Sequence, residues 1–501
     1  MSLLSTSFFF FLLITLIIYY LLPKQKIYIL LIASLFFYFA VSPASLPKML
    51  GLTAYILAVT YFGAIWIEKS SGKMKTIATS LSVISLVAVL VSLKYLYNLS
   101  ALFVSIFHLN SDISILKFLP YIGVSYFILS AIGYLLDVSW GTYPAERNLA
   151  KVGLFVYYFP QIISGPVTRF QNMKQQFDSP TSFDSDNVVN GINRMIWGYF
   201  KKLVISERFA MIVTTVYSNY QSYGALDIVI ATLCYAVQLY TDFSGCMDII
   251  MGASETFGIK LPENFNAPFA SKSVQEFWQR WHITLGLWFK DYVMYPVQKT
   301  PFLISLGKKT KSLFGKNIGR KIPFYCAMTV LWALIGIWHG GTSYYIIASA
   351  AIPFFFLFVS DIFSPVFDWC NKKLSIKSEN HFWKAFQMTR TLLLICVCWL
   401  FVCAGSTGGA LNVIKHMFSY PSMVNISNIL AFGISKGFIA FSLFGMMLIT
   451  IEHFIILKYS SVIIFINKRN FFLKWFLIYI EIGMIFIFGK VGQSEFIYFQ
   501  F

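Results

Sequence analysis

Two histidines are the residues whose types and positions could serve catalysis. His339 lies within Trp338–Thr342, which interrupts the apolar run Cys326–Phe358, and His282 lies 57 residues earlier. An ionisable side chain within such a run is costly, so it is interpreted as facing a polar interior. Neutral imidazole is the usual general base toward a hydroxyl, because its ordinary pKa of about 6.5 is close to neutral pH. The pair indicates transfer of a group to an alcohol, and a hydrogen-bonded structural histidine is the alternative at each position.

Other catalytic and binding motifs are missing from the sequence. Neither a Gly-x-Ser-x-Gly elbow nor a Cys-His arrangement accompanies the histidines, so a covalent acyl-enzyme is not indicated. P-loop, GxGxxG and HExxH patterns are also missing. The seven cysteines include no CxxC and indicate neither a disulfide framework nor a zinc site. We therefore expect no metal and no bound cofactor.

His282 belongs to a tryptophan-rich segment, Ser271–Tyr292, whose pattern predicts one amphipathic helix. One face carries Trp278, Trp281, Leu285 and Trp288, and a polar stripe carries Gln275, Gln279 and His282. Glu276 and Arg280 are spaced to form an i,i+4 ion pair. The preceding loop Leu261–Phe269 contains two prolines and is expected to fix the angle of the helix start.

Charged residues within other apolar segments form a second set of candidates. Asp242, in Leu239–Gly245, is expected to pair with an arginine or with backbone at a bend near Gly245, and a proton relay is the less favoured alternative. Arg194 and Lys201 are expected to extend toward water. The weaker candidates are Asp137, Arg169 and Asp291.

The helices that must position these residues are those of a membrane protein. Of 501 residues, 57% are hydrophobic and only 12% are charged, compared with about 25% in soluble domains. The net charge of +18 comes largely from cations in loops between apolar runs, which indicates topology and contact with anionic lipid rather than nucleic acid. Lys299–Lys321 holds seven cations and no acid; a topology signal is favoured there over a docking patch for an acidic carrier or a nucleotide.

The apolar runs predict ten to thirteen membrane segments in a single domain. We expect peripheral N-terminal helices over about 1–115, a catalytic core over about 116–360 and C-terminal helices over about 361–501. The first run is interpreted as a spanning helix rather than a signal peptide, since Lys24 and Lys26 follow it. Between 154 and 250 the runs are interrupted by Pro160, Asp242 and a lysine pair, which predicts re-entrant or tilted helices around a cavity.

Seven motifs carry a resemblance to a known family: Tyr121–Gly141, Phe159–Pro166, Tyr240–Gly245, Pro262–Phe269, Phe277–Leu285, Trp338–Gly340 and Phe496–Phe501. Together they resemble the membrane-bound O-acyltransferase (MBOAT) family, and within it the bacterial branch of the alginate O-acetyltransferase membrane subunit. The combination of Arg-Trp-His with Trp-His-Gly is highly specific. One departure is Cys403, where that branch usually has an arginine; this puts in doubt any substrate or partner contact made through that arginine.

The resemblance implies an all-α shell of helices around a central tunnel in a bacterial cell membrane, with His339 as the catalytic histidine and His282 as its partner. The donor would be acetyl-CoA or an acylated carrier protein, used from the cytoplasm. The acceptor would be a cell-surface polysaccharide or an extracytoplasmic SGNH-type acetyltransferase. Residues expected to contact substrate are Asn264, Trp278, Arg280, Trp281, Asp291 and Trp338. D-alanyl transfer toward teichoic acid is the alternative within the family, and a transporter or lipid flippase is the alternative of another class.

Overall fold

The computed structural model of the protein describes residues 1–41, 46–107, 123–179, 182–377, 379–420, 436–490 and 496–497. Across these residues the chain is helical, and the sole β pairing is an isolated bridge between Phe265 and Trp281. A helix satisfies its own backbone hydrogen bonds, as segments surrounded by lipid must. The prediction of an all-α fold is confirmed.

The helices are numbered in chain order. The first ten are α1 (Thr6–Leu21), α2 (Lys26–Val41), α3 (Leu46–Lys69), α4 (Gly72–Ile106), α5 (Val124–Trp140), α6 (Leu149–Tyr157), α7 (Phe170–Asp178), α8 (Ser185–Tyr199), α9 (Glu207–Ser218) and α10 (Ala225–Glu255). The others are α11 (Val274–Arg280), α12 (Ile283–Phe289), α13 (Tyr295–Gln298), α14 (Pro301–Trp338), α15 (Ser343–Ile346), α16 (Ile352–Ile362), α17 (Ser364–Lys373), α18 (His381–Cys403), α19 (Thr407–Ser419), α20 (Lys436–Tyr459), α21 (Val462–Asn467) and α22 (Phe471–Phe488). Three π-helical segments follow α8, α12 and α15, at Phe200–Ser206, Lys290–Met294 and Ile347–Ala351.

Eight helical segments of the described chain are long and apolar enough to cross a membrane, or nine if α1 and α2, bent by 108°, form one broken span. The protein is therefore a multi-pass membrane protein. The sequence-based count of ten to thirteen is higher than this. Part of the difference comes from two of the interrupted stretches between residues 154 and 250, which do not fold as single long helices. One forms the short helix α6, and the other forms α8, a π-helical segment and α9.

Helix α10 corrects the expected interruption at Asp242. The helix runs without a break over 31 residues, through both Asp242 and Gly245, so the interruption expected there is wrong. The carboxylate of Asp242 accepts a hydrogen bond from Lys202 Nζ at 2.6 Å. Because a cation neutralises this buried charge, Asp242 does not require exposed or broken backbone.

Helix α14 reverses direction at Gly315, whose backbone lies in the left-handed half of conformational space (φ 75°). Thr310 Oγ1 donates to Gly319 O across this reversal at 2.7 Å. A Cβ atom on Gly319 would lie 2.5 Å from Lys311 Cα. The cationic segment Lys299–Lys321 therefore folds largely as a helical hairpin.

The predicted break of the Cys326–Phe358 run is confirmed. Helix α14 ends at Trp338, and the chain passes through Gly340 (φ 135°) and Gly341 (φ 67°) before α15 begins at Ser343. A Cβ atom on Gly340 would lie 3.2 Å from the ring of Tyr345. The glycine pair thus allows a turn that places His339 directly after a spanning helix.

The described residues form two compact units, and the three-part division expected from the sequence stays a prediction. The first unit consists chiefly of Met1–Gly198 with Cys246–Pro262, and contains α1–α7. The second consists of Tyr199–Gly245 with Glu263–Lys490. Every residue of the candidate site lies in the second unit.

Candidate active site

The site is built on a break in the tryptophan-rich segment, and this break corrects the prediction of one continuous helix. Helix α11 ends at Arg280 and α12 begins at Ile283. Between them, His282 adopts a left-handed backbone conformation (φ 48°, ψ 49°). A residue with a Cβ atom takes up this conformation only where its surroundings impose it.

The surroundings that impose it belong to the preceding loop. Phe265 pairs with Trp281 in an antiparallel bridge, and Asn266 N–H donates to Arg280 O at 3.0 Å. Ile283 N–H donates to Asn264 O at 3.0 Å. The loop therefore replaces the helical hydrogen bonds that the break removes.

Asn264 is the central residue of this loop. Its side chain is 1% exposed, and its Oδ1 accepts hydrogen bonds from the backbone N–H and the hydroxyl of Thr284 at 3.1 and 2.8 Å. These bonds fix the first turn of α12 against the loop. The structure thus gives Asn264 a positioning role, in addition to the substrate contact expected from the sequence.

The imidazole of His282 is buried among aromatic rings. It is 5% exposed and meets Phe243 edge to face, with ring centroids 4.8 Å apart. Burial lowers the pKa of His282 well below its ordinary value, and the nearby charge of His339 lowers it further. The ring is therefore neutral at pH 7 and offers one N–H donor and one acceptor nitrogen.

Trp338 connects the two histidines. Its indole lies 6.2 Å from the ring of His282 and 5.0 Å from the ring of His339, measured between centroids. The indole is 5% exposed, whereas His339 is partly exposed at the end of α14. Both imidazoles therefore contact one aromatic ring, with the more accessible one beside the glycine break.

Trp278 and Trp281 extend this aromatic wall. Trp278 meets Trp332 of α14 at 5.5 Å, and Trp281 stacks on Phe277 at 5.5 Å and contacts Trp399 at 5.4 Å. Of the predicted tryptophans, Trp338 contacts both histidines and Trp281 directly precedes His282, whereas Trp278 contacts α14 through Trp332.

The two charged residues expected to contact substrate are Arg280 and Asp291. Arg280 pairs with Glu276 at 2.9 Å, as the i,i+4 spacing predicted, and donates to Asn266 O at 3.0 Å. Asp291 lies on the half-buried π-helical segment Lys290–Met294.

Two buried ionic clusters that the sequence did not predict involve α10 and the π-helical segment Phe200–Ser206. Lys202 pairs with both Asp242 and Glu207, at 2.6 and 2.7 Å, so Asp242 has a lysine partner where the sequence suggested an arginine. Lys201 pairs with Glu452 at 3.1 Å and does not extend toward water. Opposite charges in separate apolar runs were the signal that could have paired them.

Arg194, in the first unit, also forms an ion pair and does not extend toward water. Its Nε lies 2.9 Å from Asp248 Oδ1. Both side chains are 14% exposed.

Fold and site together define a multi-pass, all-helical membrane protein with two histidines on one buried indole. The chain is 30% identical over 299 residues, or 60% of its length, to the probable alginate O-acetylase AlgI of Pseudomonas syringae pv. tomato. It is 27% identical to the teichoic acid D-alanyltransferase of Bacillus subtilis over 57% of its length, and 27% identical to the peptidoglycan O-acetyltransferase of Helicobacter pylori over 61%. These matches cover 52%, 68% and 59% of the respective relatives.

No family model matches the chain. The chain spans about half the length of the alginate O-acetylases that it matches. The resemblance inferred from the motifs is nevertheless confirmed: the chain is similar to proteins named alginate O-acetylase, teichoic acid D-alanyltransferase and peptidoglycan O-acetyltransferase, at 27–35% identity.

Proposed function

We propose that this protein is a membrane O-acyltransferase that moves an acetyl group from a cytoplasmic thioester donor to a hydroxyl acceptor at the cell surface. The observation that carries the proposal is the placement of His282 and His339 against the indole of Trp338, with one imidazole buried and neutral and the other accessible. The relatives' names, which specify acetyl transfer to alginate and to peptidoglycan, support it.

The roles of the two imidazoles follow from their environments. His339 accepts the proton of the acceptor hydroxyl while the oxygen attacks the thioester carbonyl. The buried His282 donates its N–H to the oxyanion that develops there, which requires a fixed donor rather than a second base. When the C–S bond breaks, the proton on His339 passes to the departing thiolate, so the reaction is balanced without a cofactor.

Substrate contacts are assigned to the residues around this pair. Trp278, Trp281 and Trp338 supply an apolar wall for the acyl group and the donor's arm, and Arg280 and Asp291 supply polar contacts at its margin. The donor is acetyl-CoA or an acylated carrier protein. The acceptor is a polysaccharide or an SGNH-type partner transferase on the outer side. D-alanyl transfer is the second candidate, favoured by the similarity to teichoic acid D-alanyltransferases.

The proposal is tested with purified protein in proteoliposomes. Radiolabelled acetyl-CoA is supplied on one side and a hydroxylated polysaccharide on the other, in parallel with a D-alanyl carrier protein. We expect acetyl transfer that is lost in His339→Ala and retained in His381→Ala, a matched change at the exposed start of α18. Undiminished transfer in His339→Ala would refute the base assignment, D-alanyl transfer alone would select the second candidate, and label crossing only as intact donor would indicate transport.

A further inference from the structure

A buried ion pair lies beside Tyr240 of α10. Lys201 Nζ lies 3.1 Å from Glu452 Oε1, and both side chains are 2% exposed. The other carboxylate oxygen of Glu452 accepts a hydrogen bond from the hydroxyl of Tyr240 at 3.1 Å. Lys201 Nζ also lies 5.7 Å from the centroid of the Tyr240 ring. The three side chains, from three separate elements, therefore fix one another.

Tyr240 connects this ion pair to the loop Leu261–Phe269 and to the break at His282. Its ring centroid lies 5.6 Å from that of Phe265 and 6.3 Å from that of Trp281, which are the two partners of the isolated bridge. Phe243, one turn further along α10, contacts both the ring of Phe265 and the imidazole of His282, at 5.0 and 4.8 Å. One face of α10 thus supports the bridge and the histidine that follows it.

We propose that Lys201 and Glu452 are positioning residues for His282. By fixing the Tyr240 hydroxyl, Glu452 holds the ring that supports the Phe265–Trp281 bridge, and the bridge imposes the left-handed conformation of His282. Lys201 neutralises Glu452 and keeps its carboxylate in place. The catalytic consequence rests on the proposed function, whereas the effect on the loop does not.

A comparison of two double variants separates positioning from stability. Replacing both members of a buried ion pair by uncharged residues often preserves the fold, whereas removing one leaves an unpaired charge. Lys201→Met with Glu452→Gln removes both charges and leaves an amide oxygen to accept from Tyr240. Lys201→Met with Glu452→Met removes the charges and the acceptor. The two variants therefore differ at position 452 alone, where glutamine keeps an acceptor for the Tyr240 hydroxyl and methionine does not.

The first measurement is hydrogen exchange by mass spectrometry, which needs no substrate. We expect faster exchange of the backbone amides of Asn266, Ile283 and Thr284 in the methionine–methionine variant and near-wild-type exchange in the methionine–glutamine variant. Tyr240→Phe removes the same hydrogen bond and keeps both charges. It should therefore speed exchange of the same amides, and it tests the proposal even if the methionine–methionine variant does not fold. Equal exchange in all these proteins would overturn the proposal.

The second measurement is the kinetics of acetyl transfer. We expect kcat to fall by about tenfold or more in the methionine–methionine variant, with KM nearly unchanged, because a small displacement of a catalytic group costs rate more than binding. The glutamine variant should restore kcat. Loss of rate in both double variants would refute positioning through Tyr240. If the wild type transfers no acyl group while the exchange difference persists, the proposed function fails and the positioning network stands.

Discussion

Replacing Asp242 by asparagine tests whether buried charges hold the second unit together. The Asp242 and Lys202 side chains are each 1% exposed and lie 2.6 Å apart. Removing one member of a buried pair costs about 3–5 kcal/mol, because the other charge is left without full compensation. Glu207 remains 2.7 Å from the same ammonium group, so we expect the lower end, about 3 kcal/mol. Lys202→Met should cost more, since it leaves two carboxylates facing each other.

The assay is the half-life of the folded, monodisperse protein in detergent at a fixed elevated temperature, because unfolding of such proteins is commonly irreversible. A loss of about 3 kcal/mol corresponds to a shortening of up to about a hundredfold, since about 1.4 kcal/mol is a factor of ten. Asp248→Asn is the matched control on the same helix. Its pair with Arg194 is 2.9 Å long with both side chains 14% exposed, so a loss of about 1 kcal/mol is expected. An Asp242→Asn protein as durable as the control would refute the reasoning.

The stability from this cluster should be insensitive to pH in the neutral range. Burial alone would lower the pKa of Lys202, but Asp242 and Glu207 outweigh it and the pKa is raised. A raised lysine pKa contributes stability that is fully present below the ordinary value of about 10.4 and is lost only as pH rises through the folded-state value. The difference between wild type and Asp242→Asn should therefore be constant from about pH 6 to 8.

Three further predictions concern the histidine site. Burial lowers the pKa of His282, so its neutral form contributes stability that is present above about pH 6.5 and lost as pH falls. His282→Gln should therefore remove this part of the destabilisation at low pH, measured as the pH dependence of the thermal inactivation rate. The same loss of stability at low pH in the variant as in the wild type would contradict the prediction. Gly340→Ala should destabilise the protein by about 1–3 kcal/mol, because φ is 135° and the new Cβ would meet the ring of Tyr345. The control Gly51→Ala should be neutral or stabilising, because the space around Gly51 is open. Equal half-lives of the two variants at elevated temperature would refute the prediction. His339→Gln should lower kcat of acetyl transfer by at least about a hundredfold with near-wild-type inactivation, and a rate within tenfold of wild type would contradict it.

Much of the site could be predicted because its signals are local. The apolar run around His339 is broken where two glycines follow a histidine, and the glycines adopt φ of 135° and 67°. The Glu276–Arg280 pair follows from helical spacing alone. Such features depend on residues within one or two turns, which the sequence displays directly.

The break at His282 could not be predicted in the same way. Helical periodicity continues through Ser271–Tyr292, and local propensity gives no reason for a left-handed residue between α11 and α12. The cause lies in tertiary contacts: the Phe265–Trp281 bridge and the hydrogen bonds from Ile283 and Thr284 to Asn264. Tertiary contacts commonly override helical propensity, because the propensity differs by less than about 1 kcal/mol per residue.

The buried charges explain how such a break can be held in a membrane protein. Apolar packing against lipid gives little preference for one arrangement over another, because lipid tails are as apolar as leucine. Directional contacts between polar groups do distinguish arrangements, since an unpaired charge in the interior is strongly unfavourable. In the second unit α10 makes two such contacts, since Tyr240 donates to Glu452 and Asp242 accepts from Lys202. Both residues lie within one turn of Phe243, whose ring contacts the imidazole of His282. Buried polar groups thus fix the part of α10 that packs against the break at His282.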